Sequence, residues 1–198
     1  MPSSPPPTSA DVAIRTGTYG PSAIATPANG VTLVRVLATP LLLAWIVDSG
    51  ASWPAEALWI ALSLTDGIDG FLARRHGSTR SGAFLDPLAD KFLVLGAMVC
   101  LVDIDVFGWV PVALIACREV AMSVYRSVVG TKGVSIPARR TAKWKTVVQD
   151  LAVGLALVPG VGDDHPGAAR AVLWVAVALT LYTGAEYLRD ATRRRAVT

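Results

Sequence analysis

Along the chain, apolar residues gather into six segments at approximately 30–48, 55–76, 82–103, 107–130, 142–160 and 169–189. Each is close to the ~20 residues that a helix needs to cross a bilayer, so the pattern predicts six membrane-spanning helices. None of the six is free of charge, and the charges follow a rule. They lie near the start of segment one (Arg35), near the end of two (Asp66, Asp69, Arg74) and at the start of three (Asp86, Asp90, Lys91). They fall in the second half of four (Arg118, Glu119, Arg126), at the start of five (Lys143, Lys145, Asp150) and at the end of six (Glu186, Arg189, Asp190). When consecutive helices run antiparallel, that alternation puts every intramembrane charge in the same half of the bilayer. A polar cavity opening to one side is therefore expected.

The loops orient that cavity. Those after segments one, three and five carry Asp48, Asp103, Asp105, Asp163 and Asp164, with Arg170 as their one basic residue. The other side carries Arg75, Arg80, Lys132, Arg139, Arg140 and Arg193–Arg195. The positive-inside bias then places the cavity and both termini in the cytoplasm. Trp53, Trp109 and Trp174 fall near the outer ends, where interfacial aromatics belong.

Composition agrees. Of 198 residues, 53% are apolar before glycine is counted and only 17% are charged, and mean hydropathy is +0.49. A soluble domain cannot hide that much apolar surface; disordered, collagen-like and secreted disulfide classes are excluded as well. The expected class is an all-α integral membrane protein of the cell (inner or plasma) membrane. Cys100 and Cys117 lie inside apolar runs and are expected to be small buried hydrophobes. Met1–Thr8 is rich in Pro and Ser without the basic start of a signal peptide. The expected division is a flexible tail over 1–25, a six-helix domain over 26–190 and a basic tail over 191–198. The net charge of +3 is modest, and no nucleic-acid partner is expected.

The chemistry concentrates in Asp66-Gly-Ile-Asp69-Gly70-Phe-Leu-Ala73-Arg74, followed by Gly82-Ala-Phe-Leu-Asp86-Pro-Leu-Ala-Asp90. On a helix, Asp69, Ala73 and Gly70 fall about −60°, −20° and +40° from Asp66, so both carboxylates share a face with two very small residues. On the next helix Gly82, Asp86 and Asp90 fall at about 0°, 40° and 80°, again one stripe. Four carboxylates thus converge at one depth. Such groups within a span are costly and functionally suspect, and together they repel unless cations join them. Their oxygen-only donor set suits hard divalent ions, two Mg²⁺ or Mn²⁺, which clamp phosphate oxygens during displacement at phosphorus. Arg74 is placed to meet a phosphate, and Gly70, Ala73 and Gly82 leave room against bare backbone. Two other readings stand beside this one: structural ion pairs with Arg74, Arg118 and Lys91, or a cation or proton transporter using the acids as a relay.

With every signature position filled, Asp66-x2-Asp69-Gly70-x2-Ala73-Arg74-x7-Gly82-x3-Asp86-x3-Asp90 resembles the motif of the CDP-alcohol phosphotransferase family. The wider likeness runs from about Pro27 to Arg189. It implies a six-helix, homodimeric membrane enzyme with two divalent metals, displacing CMP from a CDP-linked lipid by attack of an acceptor hydroxyl. Carried onto this chain, Asp66, Asp69, Asp86 and Asp90 would sit at the metals, with Asp90 the base that deprotonates the acceptor. Gly70, Ala73, Arg74 and Gly82 would bind the cytidine diphosphate portion. The flanks Pro27–Arg35, Phe84–Lys91, Arg118-Glu119, Tyr125-Arg126, Lys143–Thr146 and Tyr187-Leu188 resemble the branch that forms phosphatidylglycerophosphate from CDP-diacylglycerol and glycerol 3-phosphate. Inositol phosphate, or phosphatidylglycerol for cardiolipin synthesis, is the alternative acceptor. Asn29, Thr32 and Arg35 are candidates for holding the donor phosphates, their other reading being capping and anchoring. An anionic acceptor needs a cationic pocket, for which Arg118, Arg126, Lys143 and Lys145 are the candidates.

Overall fold

The computed structural model describes residues 27–76, 80–131 and 140–195, with side chains described over 29–65, 86–125 and 144–186. The expected N-terminal tail lies outside these residues. The described chain forms six helices: α1 Pro27–Ser49, α2 Trp53–His76, α3 Arg80–Asp103, α4 Trp109–Thr131, α5 Arg140–Leu157 and α6 Gly167–Arg195. No strand occurs among the described residues.

Each helix coincides with one apolar segment, and the departures have local causes. α5 stops at Leu157 rather than 160 because Pro159-Gly160 follows, with Gly160 at φ 82°. α6 runs past 189 to Arg195, since hydropathy marks where a membrane would end and not where helical propensity does. α1 closes on Gly50, whose φ of 62° lets its N–H reach the Ile46 carbonyl at 2.9 Å, a left-handed helix cap that glycine enters without steric cost. Asp105 performs the corresponding turn after α3 at φ 61°, and the N–H groups of Val106 and Phe107 both bond the Leu101 carbonyl at 2.9 Å. Arg170 ties that loop down, donating Nε to the Val106 carbonyl at 2.7 Å and Nη2 to that of Asp105 at 2.8 Å.

The chain divides into two compact units, Met1–Leu41 with Ala61–Leu93, and Leu42–Ile60 with Val94–Thr198. The core is mostly apolar, but on four of the helices the buried stripe carries polar residues toward one end. The buried stripe of α1 begins with Asn29, Thr32, Arg35 and Thr39 and only then becomes Leu42 and Ile46. That of α4 runs Val112, Ile115, Glu119 and Met122; that of α5 runs Lys145, Gln149, then Ala152, Val153, Ala156 and Leu157. That of α6 runs Ala169, Leu173, Ala176, Val177, then Thr180 and Thr183. On these four helices the polar end of the buried stripe is the end that the charge alternation identified.

Large apolar side chains meanwhile face outward on every helix, among them Leu37, Leu64, Phe92, Val120, Val147 and Leu181. Water-soluble monomers rarely expose apolar area on this scale, so the outer surface is suited to lipid. Asn29–Ser49 and Gly167–Glu186 are by themselves long and apolar enough to cross a membrane. α1 and α3 carry internal prolines, Pro40 and Pro87, which spanning helices tolerate better than soluble ones. Trp53, Trp109 and Trp174 are exposed near the starts of α2, α4 and α6. The cysteines depart from expectation: Cys100 is half-buried and Cys117 exposed, both as free thiols. Cys117 lies on an apolar face of α4 that is exposed, where sequence shows no burial contrast.

Candidate active site

In the first unit the polar ends of α1, α2 and α3 meet. α2 passes through Asp66, Asp69, Gly70, Ala73 and Arg74, and α3 through Gly82; the side chains of these six lie outside the described residues. Asp86 and Asp90 are half-buried on α3. Four residues apart, they point about 40° from each other on one face. Thr32 of α1 is 1% exposed and donates its hydroxyl to Asp86 Oδ1 at 2.7 Å. A carboxylate only accepts, so the direction is fixed. Arg35 is wholly buried; its Nε donates to Thr65 Oγ1 at 3.1 Å, and Thr65 in turn donates to the Leu62 carbonyl at 2.5 Å. Thr39 bonds the Arg35 carbonyl at 2.8 Å, and Asn29 is buried on the same stripe.

The donor chemistry of this end suits hard divalent ions. Asp86 and Asp90 offer carboxylate oxygens one turn apart, and a hydrogen bond from Thr32 orients the first of them as outer-shell partners orient metal ligands. Among the described residues no group of three or more His, Cys, Asp or Glu comes together; Asp86 and Asp90 are two of the four acids expected there. Thr32, a sequence candidate for the donor phosphates, has the Asp86 carboxylate among its partners.

In the second unit the polar ends of α4, α5 and α6 meet around Glu119. Its Oε1 accepts from Arg118 Nη1 at 3.0 Å and from Lys145 Nζ. Arg118 Nη2 donates to Thr183 Oγ1 on α6 at 2.8 Å, and Gln149 Nε2 donates to Thr180 Oγ1 at 3.2 Å. All three charged side chains are less than 10% exposed. Arg118 Nε is buried with no hydrogen-bond partner among the described residues. It passes close to Gly184, where an added Cβ would stand 3.6 Å from Nε.

Two of the four residues expected to bind an acceptor phosphate, Arg118 and Lys145, are thus brought together; the side chains of Arg126 and Lys143 lie outside the described residues. In the sequence Glu119 stands out only as a charge within a span, and Gln149, Thr180 and Thr183 do not stand out at all. Their signal was available in part: Lys145 and Gln149 stand four apart, and Thr180 and Thr183 three apart, each at helical spacing in an apolar run.

A sequence model of the CDP-alcohol phosphatidyltransferase family matches residues 25–182, which reaches into all six helices and takes in the whole carboxylate motif. The chain belongs to that family. A Mycobacterium tuberculosis relative named a probable phosphatidylglycerophosphate synthase is 38% identical over 180 residues, covering 88% of this chain and 85% of its own. Two relatives named CDP-diacylglycerol–glycerol-3-phosphate 3-phosphatidyltransferase are similar on the same scale. The Rickettsia typhi protein is 33% identical over 169 residues, covering 81% of this chain and 94% of its own. The Pseudomonas fluorescens protein is 36% identical over 172 residues, covering 82% and 88%. The resemblance read from the motif is borne out at the level of family and of enzyme class.

Proposed function

We propose that the protein transfers a phosphatidyl group from CDP-diacylglycerol to glycerol 3-phosphate, forming phosphatidylglycerophosphate and releasing CMP. The observation that carries the acceptor assignment is similarity over more than four-fifths of the chain to enzymes named for that reaction, together with an unbroken motif from Asp66 to Asp90. In the step itself, the acceptor hydroxyl oxygen attacks the phosphorus that bears the diacylglycerol. A new P–O bond forms, the P–O bond to CMP breaks, and the hydroxyl proton passes to Asp90 as base. Asp66, Asp69, Asp86 and Asp90 would hold two divalent ions, Mg²⁺ or Mn²⁺, which neutralise the diphosphate and the charge left on CMP. Gly70, Ala73, Arg74 and Gly82 receive the cytidine diphosphate portion, with Asn29 and Arg35 beside it.

The acceptor phosphate goes to Arg118 and Lys145, aided by Arg126 and Lys143. The buried Arg118 Nε–H without a partner among the described residues supports this, because an orphaned buried donor costs free energy that an arriving anion recovers. We further take the enzyme to cross the membrane six times as a homodimer, with its termini and active site in the cytoplasm. The large apolar side chains exposed on every helix and the basic residues in the loops of one side support the membrane placement.

The test is CMP release by purified protein given CDP-diacylglycerol, Mg²⁺ and a panel of acceptors. Release with glycerol 3-phosphate, and far less with inositol phosphate or phosphatidylglycerol, is the expected result. Another acceptor giving the faster release would overturn the acceptor assignment, and no release with any would overturn the enzyme reading.

A further inference from the structure

Glu119 has an unusual set of partners for an acid on an apolar helix. Adjacent helical residues diverge by about 100° and do not ordinarily face each other. Yet Arg118 Nη1 reaches Glu119 Oε1 at 3.0 Å, and Lys145 arrives from α5 at the same oxygen. Arg118 is also fastened to α6 through Thr183. One buried carboxylate therefore joins cations from two helices, and these three side chains together carry one positive charge in excess. A purely structural ion pair would need only one cation and would leave no buried guanidinium N–H unspent, as Arg118 Nε is among the described residues. A buried guanidinium anchored on two sides with one N–H unused among the described residues is the arrangement of an anion site held ready.

We infer that Glu119 is a positioning residue for the acceptor phosphate, acting through Arg118 and Lys145. It holds the two cations at a fixed separation and cancels one of their charges while the site is empty. Two buried cations would otherwise repel each other and turn apart. Like charge keeps the carboxylate itself away from the phosphate, so its influence passes wholly through its partners. This inference rests on the reading of Arg118 and Lys145 as acceptor residues.

The test is a steady-state comparison of Glu119→Gln, Glu119→Asp and Arg118→Met in the purified full-length enzyme, varying each substrate in turn. Glutamine keeps size and one acceptor oxygen but makes neutral-acceptor bonds of roughly half the strength. For Glu119→Gln the KM for glycerol 3-phosphate should rise about tenfold or more, with the KM for CDP-diacylglycerol changed by less than about twofold. Glu119→Asp restores the charge at shorter reach and should recover part of the loss. A scaffold role alone would raise both KM values together, or lower kcat with neither changed; either pattern overturns the inference. Arg118→Met separates the two claims. If it raises the acceptor KM and Glu119→Gln does not, the role of Glu119 is refuted while the pocket stands. If neither raises it, the pocket reading itself fails. Should Glu119→Gln not fold, Glu119→Asp decides alone: an acceptor-specific KM rise of about threefold or more supports the inference, and an unchanged one overturns it.

Discussion

Replacing Thr32 by valine removes one hydroxyl from the polar end of α1 and leaves shape and volume almost unchanged. The side chain is 1% exposed, so water cannot substitute for the lost group. Its bond to Asp86 Oδ1 is 2.7 Å long, and the acceptor is a carboxylate oxygen. Such bonds contribute about 1.5–3 kcal/mol. If Asp86 holds a metal, the loss appears as a loosened ligand. About 2 kcal/mol corresponds to roughly a thirtyfold change in affinity, within the range of about 10–100-fold seen when outer-shell partners of metal ligands are removed. The half-activating Mg²⁺ or Mn²⁺ concentration for CMP release should rise accordingly. Mn²⁺ binding followed by electron paramagnetic resonance, without substrate, should weaken by a similar factor, and Thr32→Ser should restore both. The alternative assignment of Thr32, to the donor phosphates, predicts a higher KM for CDP-diacylglycerol at unchanged metal affinity. That result would refute a role for Thr32 in orienting a metal ligand.

Asp90→Asn should abolish CMP release while CDP-diacylglycerol binding, measured by equilibrium dialysis in detergent, persists; loss of donor binding as well would make Asp90 an indispensable ligand and leave its role as base unsupported. Gly162→Ala should be severely destabilising, because its Cβ would stand 1.9 Å from the Ala156 carbonyl oxygen and 2.8 Å from Ala51 Cβ. Overpacking of that kind costs about 3 kcal/mol or more, so a sharply lowered unfolding midpoint in detergent is expected and an unchanged one would contradict the packing. Arg170→Gln removes both side-chain bonds to the α3–α4 loop; the residue is exposed, so solvent screening limits the loss to about 1 kcal/mol. It should lower the unfolding midpoint slightly and leave CMP release intact.

Much of the fold was legible because it is written in strong, local signals. All six helix starts fall within three residues of the predicted segment starts, and Pro159-Gly160 accounts for the early stop of α5. The alternation of charged ends became the polar end of the buried stripes on α1, α4, α5 and α6. The partners within those ends were not legible. Thr32 and Asp86 are 54 positions apart, and Gln149 and Thr180 are 31 apart. Helical spacing tells which face a residue shares and says nothing of which neighbouring helix it meets. Cys117 was misread for a related reason: where one side of a helix touches protein and the other lipid, both are apolar, and period alone cannot separate them.

The proposed acids and the proposed acceptor cations are distributed unevenly along the chain. The acids of the motif, Asp66, Asp69, Asp86 and Asp90, all lie on α2 and α3, whereas the cations proposed for the acceptor, Arg118, Arg126, Lys143 and Lys145, lie on α4 and α5. Four carboxylates alone would repel a phosphorylated acceptor, and cations placed directly among them would pair with them and be unavailable to substrate. On the proposed assignment, placing the two sets on different helices would keep the acids for divalent ions and the cations for an anionic acceptor. Glu119 tests that division. It is an acid among the cations, and its Oε1 is occupied by Arg118 and Lys145, so it spaces the positive charges without abolishing them. Breaking such a buried pair from one side is costly because the remaining charge is left uncompensated. The same reasoning requires that Lys145→Met be better tolerated in Glu119→Gln than in the native background, since the double change removes a buried cation together with the anion that balanced it. A double-mutant cycle on unfolding stability in detergent measures that coupling, and strictly additive losses would show that the two side chains do not act as a unit.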